Sequence, residues 1–365
     1  MDKAPEKQYD ESGVFSLDGQ WDASDGKVMK KIAVPGNWFL QGLDVDELTY
    51  SREFSAPKMK GKRKRLVFKG VDYIASVKLN GARLGEHEGY FSKFSFDLDS
   101  LEETNLLEVN VSAPKEKFPF PWFKSQIKGV LQQWYCRPGG KTGQESGTGG
   151  IWNSVFIESF EDCKIECAKI TPDYDERAIK IEAKIKNYEE CGEAVLRFGA
   201  AGQEWEERAV LKNGINKLSF TKKVDVKDWW PWDRGEQNLY DVSMELLKDG
   251  KEQDRWEGRF GMRKIEWKND LLYVNNEKYF LRGTNYCSSQ WMSEMDKGKY
   301  EKDIGLMKEM NANSVRVHAH VEKKELYDTC DEQGILVWQD FPLHWEYVNT
   351  IPFVKKSKKM IREMV

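Results

Sequence analysis

The hydrophobic pattern changes once along the 365-residue chain, and this change limits the folds available to it. From about residue 13 to residue 260, short runs alternate apolar and polar residues and are separated by turn residues. Alternation with a period of two predicts antiparallel strands that each bury one face. After residue 260, strand-like and helix-like segments take turns, which predicts parallel strands joined by helices. The chain is therefore predicted to be multidomain and mostly β.

The first two parts are predicted to be β-sandwiches, over residues 1–160 and residues 161–262. Asn80-Gly81 lies between two short strand-like runs, and this dipeptide favours a two-residue hairpin turn. The second part has about seven short strands in roughly 100 residues, which fits an immunoglobulin-like sandwich. Residues 137–150 are polar and rich in glycine, and they are predicted to form a long loop. A phosphate-binding loop is not expected there, because no strand-to-helix context surrounds these glycines.

The third part, residues 263–365, is predicted to contain three βα units. A hairpin around residues 275–277 precedes predicted strands at 282–286, 314–318 and 335–341. Helical spacing of apolar residues predicts helices at 299–310, at 322–333 before Gly334, and from 354 to the end. Three such strands can begin a barrel but cannot close one.

Composition excludes several classes of function. The 57 basic and 61 acidic residues are interleaved and give a net charge of −4, so no nucleic-acid partner is expected. No apolar run approaches the roughly 18 residues of a membrane span, and the polar N-terminus lacks a signal-peptide pattern. The six cysteines are scattered, which predicts reduced thiols, no zinc site and a cytoplasmic location. Aromatic residues make up 13% of the chain, which suits large sheet cores and also sugar-stacking surfaces.

Seven motifs then occur in a characteristic order. They are VPGNW (34–38), YSREF (50–54), GVDYIASVKLNGARLGEHEGYFSKFSFDL (70–98), GGIW (149–152), WWPWDRGEQNLY (229–240), FGMRKIEW (260–267) and FLRGTNY (280–286). Together they resemble glycoside hydrolase family 2, which includes β-galactosidases, β-glucuronidases and β-mannosidases, over nearly the whole chain. The resemblance implies a jelly-roll-like, sugar-binding-like sandwich, an immunoglobulin-like sandwich and the truncated start of a TIM barrel. It also implies hydrolysis of a terminal β-linked sugar without a cofactor.

The resemblance leaves the sugar open. LVWQDF at 336–341 is most similar to the β-mannosidase branch. Arg316-Val317-His318, in contrast, is closer to the pattern of galactosidases and glucuronidases.

The resemblance also implies that the catalytic pair is missing from this chain. Retaining hydrolysis uses two carboxyl groups about 5–5.5 Å apart. In the family these are glutamates on the fourth and seventh barrel strands, whereas this chain ends after the third, so it is predicted to be inactive alone. Asn276-Glu277 resembles the family's acid/base dipeptide, but it lies in the hairpin before the barrel and is rejected. The alternative is a non-catalytic carbohydrate-binding or assembly protein, and the open strand edge leaves homo-oligomerisation open.

Three polar residues near the strand ends are candidate substrate-binding groups. Alternation places Arg316 on the barrel interior, where a buried guanidinium needs a carboxylate partner. The family resemblance makes that partner the absent nucleophile, and the alternative is a structural ion pair with Asp340. Asp340 is predicted either to accept two sugar hydroxyls or to serve as a surface cap or ion pair. Asn285, which ends the first strand, is a candidate polar contact to the sugar.

Histidine and tryptophan residues complete the candidate site. His318 and His320 are expected to line the barrel mouth, but two residues supply only two metal ligands, so no metal site is expected. Trp291, Trp338 and Trp345 are each candidates either for stacking on a sugar or for packing in the core.

Overall fold

A computed structural model describes residues 13–114, 124–130, 148–344 and 347–364. Within these ranges the chain folds into two antiparallel sandwiches, a small three-stranded sheet and three parallel strands with their helices. This architecture confirms the predicted fold class, a jelly-roll-like sandwich and an immunoglobulin-like sandwich followed by the start of a TIM barrel. None of the described helices combines the length and apolar character that crossing a membrane requires.

The first sandwich pairs a six-stranded sheet, in the order β3-β2-β4-β9-β6-β7, with a four-stranded sheet, in the order β1-β10-β5-β8. Its strands are β1 (Val14–Ser16), β2 (Gly19–Ser24), β3 (Met29–Val34), β4 (Glu47–Ser55), β5 (Arg63–Phe68), β6 (Ile74–Leu79), β7 (Ala82–Glu88), β8 (Phe94–Leu98), β9 (Thr104–Ser112) and β10 (Val155–Phe160). A 3₁₀ helix, Phe39–Gln41, follows β3. Alternation drives this packing, since Leu107, Val109 and Val111 on β9 are fully buried. The predicted hairpin turn is confirmed, because Asn80 and Gly81 both have positive φ.

The second sandwich pairs a three-stranded sheet, in the order β11-β12-β15, with a four-stranded sheet, in the order β14-β13-β16-β17. Its strands are β11 (Cys163–Asp173), β12 (Ala178–Asn187), β13 (Gly192–Ala200), β14 (Gln203–Leu211), β15 (Gly214–Lys223), β16 (Tyr240–Lys248) and β17 (Lys251–Phe260). Seven strands over about 100 residues agree with the predicted immunoglobulin-like part. Ile179, Ile181, Ala183 and Ile185, at every second position of β12, bury one face against the opposite sheet.

The third part begins with an antiparallel sheet and continues with parallel strands in the order β21-β22-β23. Its elements are β18 (Ile265–Lys268), β19 (Leu271–Val274), β20 (Glu277–Tyr279), β21 (Gly283–Tyr286), a 3₁₀ helix (Met292–Glu294), α1 (Lys297–Glu309), β22 (Ser314–Val317), α2 (Lys324–Gln333), β23 (Leu336–Gln339) and α3 (Ile351–Met364). The predicted elements are present, with ends that differ by up to three residues. Gly334 caps α2 in the left-handed conformation, which explains why this helix stops there.

The third part packs directly onto the first sandwich. Met292, Phe353 and Met360 are buried within the hydrophobic core of that sandwich. Lys356 on α3 forms an ion pair with Glu88 at 2.8 Å. The first sandwich therefore shares its core with α3, which the period-two pattern of its own residues could not reveal.

Candidate functional site

The exposed face of the parallel sheet carries three of the predicted site residues in one row. Asn285 on β21 pairs in register with Arg316 on β22, and Arg316 pairs with Trp338 on β23. The neighbouring residues Val315 and Val317 point the other way and are buried against the helices. The alternation argument is therefore confirmed for Arg316, which lies on the face opposite the two valines.

This row borders a cavity of about 680 Å³ between the parallel strands and the β18–β20 sheet. The side chain of Trp338 is half exposed, and its ring meets the Trp267 ring edge-on, with ring centres 6.3 Å apart. Apolar residues, the row of Asn285, Arg316 and Trp338, and three further polar residues line this cavity, and no carboxylate is among its described lining residues. The three further polar residues are Thr284, Ser314 and Gln339. The cavity can therefore offer stacking and hydrogen bonding to a ligand.

Arg316, the middle residue of this row, forms an ion pair with Asp340, which lies just past the end of β23. The Arg316 Nη2 lies 2.7 Å from the Asp340 Oδ2, and its Nε donates to the Oδ1 at 3.2 Å. Asp340 also accepts a hydrogen bond from the backbone N–H of Ala319 at 3.2 Å. Partial burial acts to raise the pKa of Asp340, but the guanidinium and the backbone N–H hold that pKa below its usual range.

The expected environment of Arg316 was wrong in one respect. Its guanidinium was expected to be buried, whereas 46% of the side chain is exposed. Three strands leave the interior face of the sheet open, so the side chain reaches solvent. The partner present in the described residues is Asp340, which agrees with the structural ion pair that the sequence left open.

His318 lies in the turn that follows β22. Its Nδ1 is 3.5 Å from the Asp340 Oδ2, and its ring meets the His344 ring edge-on, with centres 5.7 Å apart. Burial, reinforced by the nearby positive charge of Lys124, lowers the pKa of His344 to about 4. His318 is thus beside Asp340, and His344 completes a cluster that the sequence did not predict.

His320 does not line the mouth, contrary to expectation. Its side chain is 1% exposed, and its Nε2 lies 2.5 Å from the Oε1 of Glu322. The residue turns inward because the chain leaves the strand after Val317, so the period of two no longer applies. The pairing of Glu322 with His320 was not predicted, because the sequence pattern placed Glu322 in the first turn of a helix, where an exposed acidic residue is common.

The remaining candidates do not converge on this row. Trp291 stacks on Phe39 of the first sandwich, with ring centres 5.5 Å apart. Trp345 lies outside the described residues, as do residues 137–147 of the predicted glycine-rich loop. Asn276 lies in the turn between β19 and β20, as expected for a non-catalytic hairpin. In the part of the chain that the structure describes, no three histidine, cysteine or acidic side chains are grouped to hold a metal ion.

Three domain models of one protein family match this chain in consecutive order. The galactose-binding-like domain of glycosyl hydrolase 2 matches residues 36–119. The central domain of glycosyl hydrolases family 2 matches residues 163–263, and the TIM barrel domain of that family matches residues 265–359. The chain belongs to glycoside hydrolase family 2.

Family 2 relatives include a β-mannosidase of Capra hircus, 24% identical over 90% of this chain and 45% of its own length. A β-galactosidase of Thermoanaerobacterium thermosulfurigenes is 28% identical over 92% of this chain and 46% of its own length. The crystal structure of a β-D-mannosidase from Dictyoglomus thermophilum superimposes with a TM-score of 0.81 at 26% identity, covering 95% of this chain and 49% of that one. The chain spans about half the length of the family 2 relatives it matches.

Proposed function

We propose that this chain is the N-terminal portion of a retaining β-glycosidase that hydrolyses terminal β-linked mannosides, galactosides or glucuronides. The observation that carries this proposal is the row of Asn285, Arg316 and Trp338 on the open face of three parallel strands, with Asp340 just past the end of β23. Barrel enzymes bind substrate at the carboxyl ends of their strands. Mannosidases and galactosidases among the relatives support the same class of substrate.

In this proposal the three residues of the row, together with His318 and Asp340, act on the sugar through different kinds of interaction. Trp338 supplies an exposed aromatic face for stacking against the C–H side of a sugar ring. Asn285 and His318 donate hydrogen bonds to sugar hydroxyl groups or accept them from these groups. Asp340 accepts bonds from a pair of hydroxyls, while Arg316 provides positive charge beside the reacting centre.

The catalytic carboxyl groups are proposed to lie beyond Val365. Double displacement needs one carboxylic acid to protonate the leaving oxygen and one carboxylate to trap the sugar. Asp340 is held by Arg316 at 2.7 Å, and the described residues that line the neighbouring cavity include no carboxylate. The 365-residue chain alone should therefore be inactive, and no cofactor is needed for the complete reaction.

The cavity on this open face, which has no carboxylate among its described lining residues, also favours a second candidate, a carbohydrate-binding or assembly protein without catalysis. The reading frame past Val365 separates the two. An Asn-Glu pair within a few tens of codons supports the glycosidase, whereas a stop codon supports the binding protein.

The proposal extends to the domain boundaries, the location and the partners of the chain. We place domains at residues 1–160, 161–262 and 263–365. The five described cysteines are free, which supports a cytoplasmic location. The proposed partner of the chain is a carbohydrate substrate, and the outer edge of β23, which pairs with no other strand among the described residues, allows association with a second copy.

Substitutions in the complete enzyme test the proposed roles. Arg316→Ala should lower kcat by about 100-fold or more, since it removes a charge beside the reacting centre. Asp340→Asn should raise KM more than it lowers kcat. Arg83→Ala is the matched control, because Arg83 forms an exposed pair with Glu86 on the first sandwich. Equal kinetic constants for all three variants would contradict the assignment.

A further inference from the structure

A buried pair of titratable side chains lies beneath the turn that carries His318. His320 and Glu322 have side chains that are 1% and 0% exposed, and neither borders the cavity. Removing charged groups from water costs several kcal/mol per ion unless hydrogen bonds compensate. The hydrogen bonds around this buried pair must therefore offset the cost of burying it, and the pair lies beside the candidate site.

The hydrogen bonds of His320 fix how many protons the pair holds. The His320 Nδ1 lies 3.0 Å from the backbone carbonyl oxygen of His318, and its Nε2 lies 2.5 Å from the Glu322 Oε1. A carbonyl oxygen only accepts, so the Nδ1 must carry a proton. A second proton must lie between the Nε2 and the carboxyl oxygen, because two acceptors would otherwise face each other.

Glu322 is satisfied on its other side as well. Its Oε2 accepts a hydrogen bond from the Tyr300 hydroxyl at 2.7 Å, and Ser288 also bonds to the carboxylate. Burial acts to raise the pKa of Glu322, but these partners and His320 hold it below the usual range. The pair is thus a glutamate facing a doubly protonated imidazole.

The backbone that this pair holds leads directly to the candidate site. His320 binds the carbonyl of His318, and the next N–H, that of Ala319, donates to Asp340. Ala319 has a φ of 51°, a conformation that a residue with a side chain adopts only when its surroundings enforce it. Gln339 donates to the His320 carbonyl at 2.7 Å and so ties the turn to β23.

We propose that His320 and Glu322 are positioning residues, whose doubly protonated pair fixes the turn at residues 318–320 and thereby places the His318 ring and the Asp340 carboxylate. This proposal rests on the proposed function for the site that these two groups would serve. The pair itself does not touch substrate.

The tyrosines and cysteines packed around the pair do not change charge near neutral pH. The titratable side chains around the pair come from the first sandwich, from β21 and the residue after it, from α1, and from α2 and the residue before it. They are Tyr90, Tyr286, Cys287, Tyr300, Lys323, Tyr327 and Cys330. Burial raises the pKa of each tyrosine and cysteine in this set, so these side chains stay neutral. Burial lowers the pKa of Lys323, the remaining member, which bonds outward to the Met295 carbonyl.

Nitrogen NMR of the imidazole rings tests the proposal on the 365-residue chain, which contains only four histidines. At neutral pH both ring nitrogens of His320 should carry a proton. Glu322→Gln should remove the second proton and raise the exchange rate of the Ala319 amide at least tenfold. Glu325→Gln, on the exposed side of α2, is the matched control and should change neither. A single ring proton on His320 in the unmodified chain would overturn the proposal.

If Glu322→Gln does not fold, Tyr300→Phe provides a second test of the same proposal. It removes one hydrogen bond to Glu322 and keeps the pair, so the second proton should remain while Ala319 exchange rises about fivefold. Unchanged exchange would contradict the positioning role.

If the ring protons and exchange behave as expected but the complete enzyme cleaves no glycoside, the proposed function fails and the proton assignment stands. If the enzyme is active but His320 holds one proton, only the present inference fails.

Discussion

The guanidinium of Arg316 meets the carboxylate of Asp340 through two contacts, from Nη2 to Oδ2 at 2.7 Å and from Nε to Oδ1 at 3.2 Å. Arg316 lies on β22, and Asp340 directly follows the neighbouring strand β23. The parallel register of these two strands brings the two side chains together. Two parallel hydrogen bonds between charged groups also fix the orientation of the guanidinium. In the complete barrel this orientation would aim Arg316 at the interior.

Asp340 should make the chain sensitive to acid. Because its folded-state pKa is depressed, its stabilisation is present above the unfolded pKa of about 4 and is lost as the pH falls through the folded value. Asp340→Asn should therefore flatten the fall of the urea midpoint below about pH 4. Asp270→Asn, in an exposed turn, should leave that fall unchanged. Identical acid profiles for the two variants would contradict the ion pair.

Arg65 should be a critical residue at the contact between the two sandwiches. It is 5% exposed and bonds to Asp97 at 2.7 Å and to Glu166 at 2.8 and 2.9 Å. Arg65→Ala leaves partly buried carboxylates without their partner, which should cost about 3–5 kcal/mol of unfolding free energy. Arg83→Ala, which breaks an exposed pair, should cost less than about 1 kcal/mol in the same urea titration. Similar losses would show that the Arg65 network is not stabilising.

Met360 should show that α3 belongs to the core of the first sandwich. Its side chain is 1% exposed within that core, so Met360→Ala should lower the unfolding free energy by about 2–5 kcal/mol. Met310→Ala is the matched control, since Met310 is 70% exposed at the end of α1. Equal urea midpoints for the two variants would mean that α3 does not pack on the sandwich in solution.

His87 should make folding sensitive to mild acid. Burial lowers its pKa to about 4, below the usual value of about 6.5 for an unfolded chain. As the pH falls between these values, the unfolded chain binds a proton that the folded chain does not, so stability should fall by up to about 1.4 kcal/mol per pH unit. His87→Gln should remove the His87 contribution to this slope and leave the similar contribution of His344. An NMR titration midpoint of His87 near 6.5 would contradict its buried, neutral state.

Periodicity predicted much of the fold because each element buries one face. The valines beside Arg316 and the positive φ of Asn80 and Gly81 follow from local pattern alone. Contacts between distant segments have no such signal, which is why α3 on the first sandwich was missed. Likewise, His320 could not be assigned by alternation, because the strand ends at Val317 before reaching it.

Hydrolysis by two forms of the protein tests the central claim most directly. The purified 365-residue chain and the product of the uninterrupted reading frame are each incubated with nitrophenyl β-mannoside, β-galactoside and β-glucuronide. If both catalytic carboxyl groups lie beyond Val365, as proposed, the short chain lacks general acid catalysis, worth about 10²–10⁴-fold, together with covalent trapping of the sugar. The short chain should release no nitrophenol, and the longer product should cleave at least one substrate. Hydrolysis by the short chain, free of host enzymes, would contradict the placement of the catalytic pair beyond Val365.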